Sequence, residues 1–308
     1  MINKIIAIQG NKLSSLKPKT DTSIFLAKEA QNKKCQIFYY NPKDLSITNS
    51  KVTASGFFVK FDYSKKKVFK IIKKENLDLS KCKFILIRQD PPFNLEYIST
   101  TYILETIKKD VRIINNPASI RNISEKLYSA KYEKFMPETI FTQNIKEIKI
   151  FFKKHKKVIL KPIHSFSGND IHLLLKFNFK FIKKFIKRHN HIVCQKYLPK
   201  IDKGDKRVFL INGKVVGVIS RIPKKGSFLS NMSKGAKATT SYLTKKEKKI
   251  STIIAKDLKK ENIFFAGIDF IDQKLNGDIN VTSPTGLKTL YDLSKINLAK
   301  TFWKELKL

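Results

Sequence analysis

Two segments in the C-terminal third of the chain carry oxygen-bearing side chains at a spacing that suits a metal ion. Asp278 and Asn280 are two residues apart in a predicted strand, so both side chains point to the same face of a sheet. Asp269 lies on the preceding predicted strand. It comes opposite Asn280 if a loop spans 272–277, whereas a tight turn at 276–277 moves it away. The first arrangement brings together three hard oxygen ligands, which suits Mg²⁺ carried with nucleotide phosphates. The alternative is a plain hairpin with a solvated Asp269.

Two lysines are candidates for contact with those phosphates. Lys161 ends the apolar strand segment VILKP, where an ammonium group is costly to bury unless an anion meets it. Lys126 lies on a predicted helix just before this unit. The segment after the strand HIVC, Gln195, Lys196, Tyr197 and Leu198, could supply backbone groups and an aromatic ring beside a purine. Alternatively, both lysines lie on the surface and the segment 195–198 is a plain strand end. This interpretation stays open because 57 of the 308 residues are lysine, so any single lysine is a weak signal.

Three of the six arginines, Arg88, Arg207 and Arg221, lie in or beside predicted strands. In a chain that prefers lysine so strongly, arginine indicates positions that need a fixed bidentate donor, such as one for a substrate carboxylate. The alternative is a structural ion pair, for example Arg88 with Asp90 or Arg207 with Asp205. The pattern leaves both interpretations open.

The elements that must position these residues alternate between strand and helix up to about residue 118. Strands are predicted at 4–9, 35–40, 58–63, 68–71, 82–88 and 111–116, with helices at 21–32 and 96–108. This alternation predicts an open α/β sheet, on which ligands bind beyond the carboxyl ends of the strands. Arg88, Asp90 and Asn116 lie at such ends.

A second series of elements follows Pro117. A helix-like stretch is predicted over 119–135. It is followed by a helix at 144–155, a strand at 157–163, a loop at 165–170, a helix at 179–189 and a strand at 191–198. In the rest of the chain, strands are predicted at 207–213, 214–220, 264–272 and 278–283. A loop is predicted at 223–240, a helix at 244–260, and a final helix at the end.

The composition excludes several classes of protein. The 308 residues carry a formal net charge of +38, and a hydrophobic content of 42% argues against a disordered chain. No apolar stretch approaches ~18 residues, so we expect no membrane span. Three cysteines, far apart, predict neither a disulfide framework nor a zinc site and indicate a reducing, cytoplasmic setting. Because lysines occur along the whole chain, we attribute the charge to a composition-biased solvated surface rather than to an anionic substrate or nucleic acid.

Six segments carry a distinctive order of motifs. They are IRQDPPFNLEYISTTYILE at 87–105, INNPASIRNISEKLYSAKY at 114–132, VILKP at 158–162, QKYLPKIDKGDKRVFLINGKVVGVISRIP at 195–223, SNMSKG at 230–235 and INVTSPTG at 279–286. In this order they resemble the prokaryotic glutathione synthetases, members of the ATP-grasp superfamily. The resemblance runs through nearly the whole chain, and INVTSPTG together with GDKR and RIP is its most specific part.

The resemblance implies an α/β chain, α+β in its C-terminal part, with an ATP-grasp fold and an N-terminal domain built on an open parallel sheet. The implied domains are a substrate domain at 1–120, a central ATP-grasp lid domain at 121–200 and a C-terminal ATP-grasp domain at 201–308. ATP would then be bound by Lys126, Lys161, Gln195, Lys196, Tyr197 and Leu198. Mg²⁺ would be held by Asp269, Asp278 and Asn280. Substrates would be contacted by Arg88, Arg221, Ser283 and Thr285, with Arg207 as the catalytic residue.

The activity that the resemblance implies is ligation of γ-glutamylcysteine to glycine, with ATP converted to ADP and phosphate through an acyl phosphate. Arg207 would stabilise the tetrahedral oxyanion, and the loop 224–240 would exclude water. The implied cofactors are ATP and Mg²⁺, with Mn²⁺ as a substitute. The implied partners are small-molecule substrates, with no membrane, and a homo-oligomeric assembly stays open.

The chain departs from the family pattern at three places that handle phosphate. Asp278 stands where Glu is usual, and Leu229 stands where Arg is expected. The loop 164–170 is normally rich in glycine for wrapping phosphates, but here it contains only Gly168. These departures leave open a diverged ATP-grasp paralogue with weak or no ligase activity. A Lys-rich nucleic-acid-binding protein is the third alternative.

Overall fold

The computed structural model describes residues 4–308, and its N-terminal part builds a six-stranded sheet. The strands are β1 (Ile5–Gln9), β2 (Gln36–Thr48), β3 (Lys51–Phe61), β4 (Phe69–Asp78), β5 (Phe84–Ile87) and β6 (Arg112–Ile114), in the order β4-β3-β2-β1-β5-β6. Strands β2, β1, β5 and β6 pair in parallel, as predicted. Beyond β2 the pairing through β3 and β4 is antiparallel, so the sheet is mixed. Arg88 directly follows β5, at the carboxyl edge of the parallel strands.

Three helices belong to this part: α1 (Thr22–Asn32), α2 (Leu95–Glu105) and α3 (Pro117–Asn122). Each begins at a capping side chain that accepts a hydrogen bond from a backbone N–H of the first turn; these are Asp21, Asn94 and Asn116. The prediction of one helix-like stretch over 119–135 is wrong. After α3 the chain leaves the helix, and a 3₁₀ stretch, Leu127–Phe135, follows. The break occurs because the carbonyl oxygen of Glu125 accepts the N–H of Ile279, 2.9 Å away, in place of a helical bond.

The central part is a four-stranded antiparallel sheet covered on one face by two amphipathic helices. Its strands are β7 (Thr139–Thr142), β8 (Val158–Pro162), β9 (His172–Leu174) and β10 (Ile192–Lys196), in the order β7-β10-β8-β9. The helices are α4 (Ile145–His155) and α5 (Phe179–His189). In both helices the buried residues are Ile and Phe, and the lysines are exposed, as the apolar spacing predicts. The uncovered face of this sheet is therefore free to line a cleft.

The C-terminal part is a five-stranded antiparallel sheet with three helices. Its strands are β11 (Asp205–Ile211), β12 (Lys214–Ile222), β13 (Lys237–Thr240), β14 (Phe265–Ile271) and β15 (Lys274–Asn280), in the order β13-β12-β11-β14-β15. The helices are α6 (Lys245–Lys260), α7 (Leu287–Ser294) and α8 (Leu298–Glu305). No helix within residues 4–308 combines the length and apolar character needed to cross a membrane.

The hairpin β14–β15 has a register that neither predicted arrangement anticipates. Its two-residue turn lies at Asp272 and Gln273, where φ is +47° and +61°. Asn280 therefore pairs with Gly267, not with Asp269. The ladder is interrupted by a bulge, so that Asp269 lies opposite residues 276–278. Both predicted positions of the turn are wrong, because the bulge places Asn276, Gly277 and Asp278 within the strand.

The N-terminal sheet and the C-terminal helices share one hydrophobic core. Trp303 on α8 is fully buried, and its indole N–H donates to the carbonyl oxygen of Leu26 on α1, 2.8 Å away. The same core contains Ile6 of β1 and Phe209 of β11. This shared core fixes the carboxyl edge of the N-terminal sheet against the C-terminal sheet, where the arginines lie.

Candidate active site

A cleft with an empty volume of about 850 Å³ lies between the central and C-terminal sheets. Every residue that the sequence predicts for nucleotide and metal binding lines it: Lys126, Lys161, Gln195, Lys196, Tyr197, Leu198, Asp269, Asp278 and Asn280. Arg207 and Arg221 also line this cleft. The structure thus brings together side chains that are up to 154 residues apart in the sequence.

A second cleft, with an empty volume of about 1550 Å³, lies against the carboxyl edge of the N-terminal sheet. It is lined by the residues predicted to contact substrates, Arg88, Arg221, Ser283 and Thr285. The two clefts share a wall formed by Glu125, Phe166, Ser167, Arg207, Arg221, Asn231 and Asn280. The geometry therefore places two binding spaces side by side, with two guanidinium groups at the junction.

Lys126 and Lys161 flank the carboxylate of Asp278 from two directions. The Nζ of Lys126 lies 3.8 Å from Oδ1 of Asp278, and the Nζ of Lys161 lies 3.9 Å from Oδ2. Lys161 donates to the carbonyl oxygen of Asn276, 3.1 Å away, and Lys126 to that of Ser165, 2.6 Å away. Burial lowers the pKa of Lys161, and the charge of Asp278 offsets part of this shift. Two buried ammonium groups share one carboxylate, so one positive charge is left for an incoming anion.

The end of β10 and the residues that follow it connect the central sheet to the C-terminal sheet and form one end of the first cleft. The Nε2 of Gln195 donates to Oγ1 of Thr139, 2.9 Å away, which holds this buried side chain in place. The backbone N–H of Tyr197 donates to the carbonyl oxygen of Lys157. Three branched aliphatic residues, Ile159, Ile201 and Ile271, line the same cleft. This mixture of apolar walls and polar edges suits a flat, partly polar ring.

Arg207 and Arg221 form a buried network with two aspartates on neighbouring strands. Nε and one Nη of Arg207 donate to the two oxygens of Asp269, at 2.8 and 2.7 Å. Arg221 pairs with both oxygens of Asp205, and it also reaches Asp269 at 3.0 Å. Asp205 additionally accepts the hydroxyl of Ser230, 2.6 Å away. The predicted pair of Arg207 with Asp205 is therefore wrong, because antiparallel pairing sets Arg207 opposite Asp269 and Asp205 opposite Arg221.

The network favours the charged forms of Asp269 and Arg221, whereas burial raises the pKa of Asp205 despite its bonds to Arg221. Burial opposes ionisation of Asp269, but Arg207 and Arg221 outweigh it and lower the pKa of Asp269 to about 2. Burial likewise opposes the charge on Arg221, but Asp205 and Asp269 raise its pKa above the ordinary value. Two guanidinium groups and two carboxylates make the network neutral, and its bidentate geometry fixes both arginines at the junction of the clefts.

Asp278 and Asn280 fit a divalent cation better than Asp269 does. The Nδ2 of Asn280 donates to the carbonyl oxygen of Gly267, 3.1 Å away, and its Oδ1 makes no hydrogen bond with residues 4–308. Both oxygens of Asp269 are occupied by arginines. Within those residues no three His, Cys, Asp or Glu side chains cluster around a common point. One carboxylate and one amide oxygen suit Mg²⁺ that completes its coordination with phosphate oxygens and water.

Arg88 presents an unused donor to the second cleft. Its Nε donates to the hydroxyl of Ser23, 3.2 Å away, and Nη2 donates to the carbonyl oxygen of Pro284, 2.9 Å away. Nη1 is buried and has no partner among residues 4–308. The predicted alternative, an ion pair with Asp90, is wrong, because Asp90 accepts the side-chain amide of Asn11. An unpaired guanidinium donor is costly to bury, so a ligand carboxylate would stabilise it.

The loop 164–170 meets the segment between β12 and β13 over the clefts. In the loop 164–170, Gly168 has a φ of +73°, and a Cβ at this position would lie 2.4 Å from Oδ1 of Asn231. The Nζ of Lys234 donates to Oδ1 of Asn169, 2.8 Å away. Leu229 lines the first cleft. The loops thus approach each other closely at a position whose positive φ favours glycine.

The residue that the sequence analysis missed is Glu125, which lines both clefts. Its Oε1 accepts the N–H of Val281, the N–H of Thr282 and the hydroxyl of Thr282, at 2.9, 3.1 and 2.9 Å. No local spacing indicates this role, because the partners are 156 and 157 residues away. The only signal is its position beside Lys126, within the motif NISEKLYSAKY.

Two family models match the chain and together cover most of it. "Prokaryotic glutathione synthetase, N-terminal domain" matches residues 5–121, and "Prokaryotic glutathione synthetase, ATP-grasp domain" matches residues 125–295. The glutathione synthetase of Mesorhizobium japonicum is 35% identical over 303 residues, which cover 97% of this chain and 96% of that protein. The glutathione synthetase of Buchnera aphidicola subsp. Baizongia pistaciae is 36% identical over 294 residues, which cover 93% and 90%.

Solved structures share the fold at much lower identity. The D-cycloserine synthetase DcsG superposes with a TM-score of 0.67 at 11% identity, covering 98% of both chains. The ATP-grasp ligase PsnB, solved with a phosphomimetic variant of its minimal precursor, Mg and ADP, superposes with a TM-score of 0.64 at 11% identity, covering 99% of both chains. At these identities the likeness concerns the architecture alone, which is that of an ATP-grasp ligase.

Proposed function

The chain belongs to the prokaryotic glutathione synthetase family, and from this premise we infer that it is an ATP-dependent ligase that synthesises glutathione. The substrates are γ-glutamylcysteine and glycine, and the products are glutathione, ADP and phosphate. The observation that carries this function at the site is the shared wall of the two clefts, where Arg207, Arg221 and Asn280 line both. Such a junction lets a phosphate in one cleft meet a carboxylate in the other. The similarity over nearly the full length does not favour an inactive paralogue or a nucleic-acid binder.

We assign the nucleotide to the first cleft. Lys126 and Lys161 would contact the phosphates of ATP, because together they carry one more positive charge than Asp278 neutralises. The purine would lie against the segment Gln195–Leu198, which offers backbone groups and the Tyr197 ring. Asp278 and Asn280 would hold Mg²⁺, with Asp269 behind them in the arginine network. The ion, when bound, neutralises phosphate charge. Use of Mn²⁺ in its place stays a prediction.

We assign γ-glutamylcysteine to the second cleft, with a carboxylate on the free Nη1 of Arg88. Ser283 and Thr285 line the same cleft and supply hydroxyl groups. The cysteinyl carboxylate oxygen attacks the γ-phosphorus of ATP, the bond to the β-phosphate oxygen breaks, and ADP leaves. The residues contribute mainly positioning and charge neutralisation, since this transfer needs little covalent chemistry from the protein.

The second step uses the acyl phosphate formed in the first. The neutral amine of glycine attacks the acyl carbon, phosphate leaves with the C–O bonding electrons, and the departing phosphate takes up the proton that the amine loses. Arg207 is positioned to stabilise the oxyanion, because Asp269 occupies its Nε and Nη2 and leaves Nη1 available at the junction. Gly168 and Asn231 approach each other closely above the site, and closure of these loops over bound substrates would keep water from the acyl phosphate.

The test is a direct assay of the purified chain with ATP, Mg²⁺, γ-glutamylcysteine and glycine. We expect phosphate and glutathione in equal amounts, and little of either when glycine or Mg²⁺ is omitted. Phosphate release without glutathione would mean that the chain hydrolyses ATP but does not ligate. Nucleotide binding with neither product would support the diverged paralogue instead. Assembly into a homo-oligomer and a cytoplasmic location stay predictions.

A further inference from the structure

Val281, the first residue after β15, has both of its backbone groups bound by side chains from distant parts of the chain. Its N–H donates to Oε1 of Glu125 at 2.9 Å, and its carbonyl oxygen accepts Nδ2 of Asn115 at 2.7 Å. The same Nδ2 of Asn115 donates to the carbonyl oxygen of Phe265, and its Oδ1 accepts the N–H groups of Phe264 and Phe265. The end of β15 is thus held from two sides by side chains, beyond the end of its own ladder.

Glu125 makes the more unusual of these contacts. One carboxylate oxygen accepts three hydrogen bonds, from two successive backbone N–H groups and the hydroxyl of Thr282. The backbone carbonyl of the same residue accepts the N–H of Ile279. A single residue therefore replaces the missing neighbouring strand for residues 279–282, because β15 is the edge strand of its sheet.

The segment that Glu125 holds carries the functional groups of both clefts. Asp278 and Asn280 precede Val281, and Ser283 follows it by two residues. Lys126 is the next residue after Glu125, and its Nζ lies 3.8 Å from Asp278. The hydrogen bonds of Glu125 therefore set the distance between the ammonium group of Lys126 and the oxygens of Asp278 and Asn280.

We propose that Glu125, assisted by Asn115, is a positioning residue that fixes the cation-binding oxygens of Asp278 and Asn280 relative to Lys126. The proposal rests on the proposed function of this site. A carboxylate suits the task because charge-assisted hydrogen bonds are roughly twice as strong as neutral ones. Glu125 acts through its neighbours, so its loss should alter the use of Mg²⁺ more than the binding of the nucleotide base. Loss of residues that orient metal ligands typically costs 10- to 100-fold in metal affinity or activity.

The experiment compares Glu125→Ala and Glu125→Gln with the parent enzyme in the same ligation assay. We expect Glu125→Ala to lower kcat and to raise the Mg²⁺ concentration for half-maximal rate, each by about 10- to 100-fold. The dissociation constant for ADP without Mg²⁺ should change little, since the segment 195–198 is untouched. Glu125→Gln keeps a neutral acceptor, so its kcat and its Mg²⁺ requirement should fall between those of the parent and Glu125→Ala. Thr282→Val removes only one of the three donors and should have the smallest effect.

Glu133→Ala is the matched control, because Glu133 is exposed on the next 3₁₀ turn. It should match the parent in every measurement. If Glu125→Ala does not fold, the order of Glu125→Gln and Thr282→Val in Mg²⁺ dependence decides the question. A lower melting temperature with unchanged Mg²⁺ dependence would overturn the proposal and leave Glu125 as a structural residue. An inactive parent would instead refute the proposed function, so the two failures are distinct.

Discussion

Replacing Lys161 by methionine separates binding from stability at this site. Methionine keeps the unbranched shape of the side chain and removes its charge. The Lys161 side chain is 6% exposed, its nearest acceptor is the neutral carbonyl oxygen of Asn276, and Asp278 is 3.9 Å away. Burial accordingly lowers the pKa of Lys161. The ammonium group is therefore poorly compensated until an anion binds, and its removal should affect the liganded state far more than the free one.

The two effects can be given magnitudes. A hydrogen bond to a charged group contributes about 1.5–3 kcal/mol, so losing the contact with phosphate should weaken nucleotide binding by about 10- to 100-fold. Without nucleotide, Lys161→Met loses two hydrogen bonds to neutral oxygen atoms of Asn276, each worth about 1 kcal/mol. It also removes the cost of burying a charge, which acts in the opposite direction. We expect the free energy of unfolding to change by less than about 1 kcal/mol.

Calorimetric titration with ADP and a non-hydrolysable ATP analogue measures the first effect, and urea unfolding without ligand measures the second. Lys157→Met is the control, because Lys157 is exposed just before β8. An unchanged dissociation constant in Lys161→Met would remove Lys161 from the phosphate site. A large loss of stability without nucleotide would show that the lysine serves the fold.

Substitutions at three further residues test the carboxylates of Asp278 and Asp269 and the unpaired donor of Arg88. Asp278→Asn should abolish Mg²⁺-dependent glutathione formation and Asp278→Glu should hold or raise it; equal rates in both variants would contradict its role in holding Mg²⁺. Arg88→Lys should raise KM for γ-glutamylcysteine about 10-fold or more, because lysine lacks the planar fork, while KM for ATP should not change. The pKa of Asp269 is about 2 against an ordinary 3.8, so its ionisation contributes about 2 kcal/mol of stability that is present above pH ~4 and lost as pH falls toward 2. In urea unfolding, the stability advantage of the parent over Asp269→Asn should shrink over that range, and a constant difference would refute the assigned pKa.

The sequence indicated which residues share a cleft better than it predicted the contacts between them. Lys161 was selected because it ends an apolar strand, and Asp278 and Asn280 because they are two apart in a strand; both signals depend on neighbours in the chain. The partner of Arg207 depends on which strand lies beside β11, and that pairing is set by the whole sheet. The bulge opposite Asp269 has no local signature, so both predicted hairpin registers were wrong.

The break in the predicted helix 119–135 has the same origin. Residues 123–126 have ordinary helical composition, and nothing nearby forbids a continuous helix. The N–H of Ile279, from the far end of the chain, occupies the backbone carbonyl oxygen of Glu125 that a helical bond would use. The N–H groups of Val281 and Thr282 bind the side chain of the same residue. Long-range hydrogen bonds of this kind override local propensity.

The charge of the site differs sharply from the charge of the chain. Seven cationic and six anionic side chains line the two clefts, whereas the whole chain carries a net charge of +38. The surplus lysines are therefore outside the site, and they cannot supply the short-range contacts that a phosphate needs, since exposed charges are screened within about 10 Å. A nearly neutral cleft that receives a triphosphate and a peptide carboxylate becomes strongly negative. Under the proposed function, a divalent cation beside Asp278 would offset this negative charge, so the position of Asp278 would matter more to the reaction than the abundant lysines.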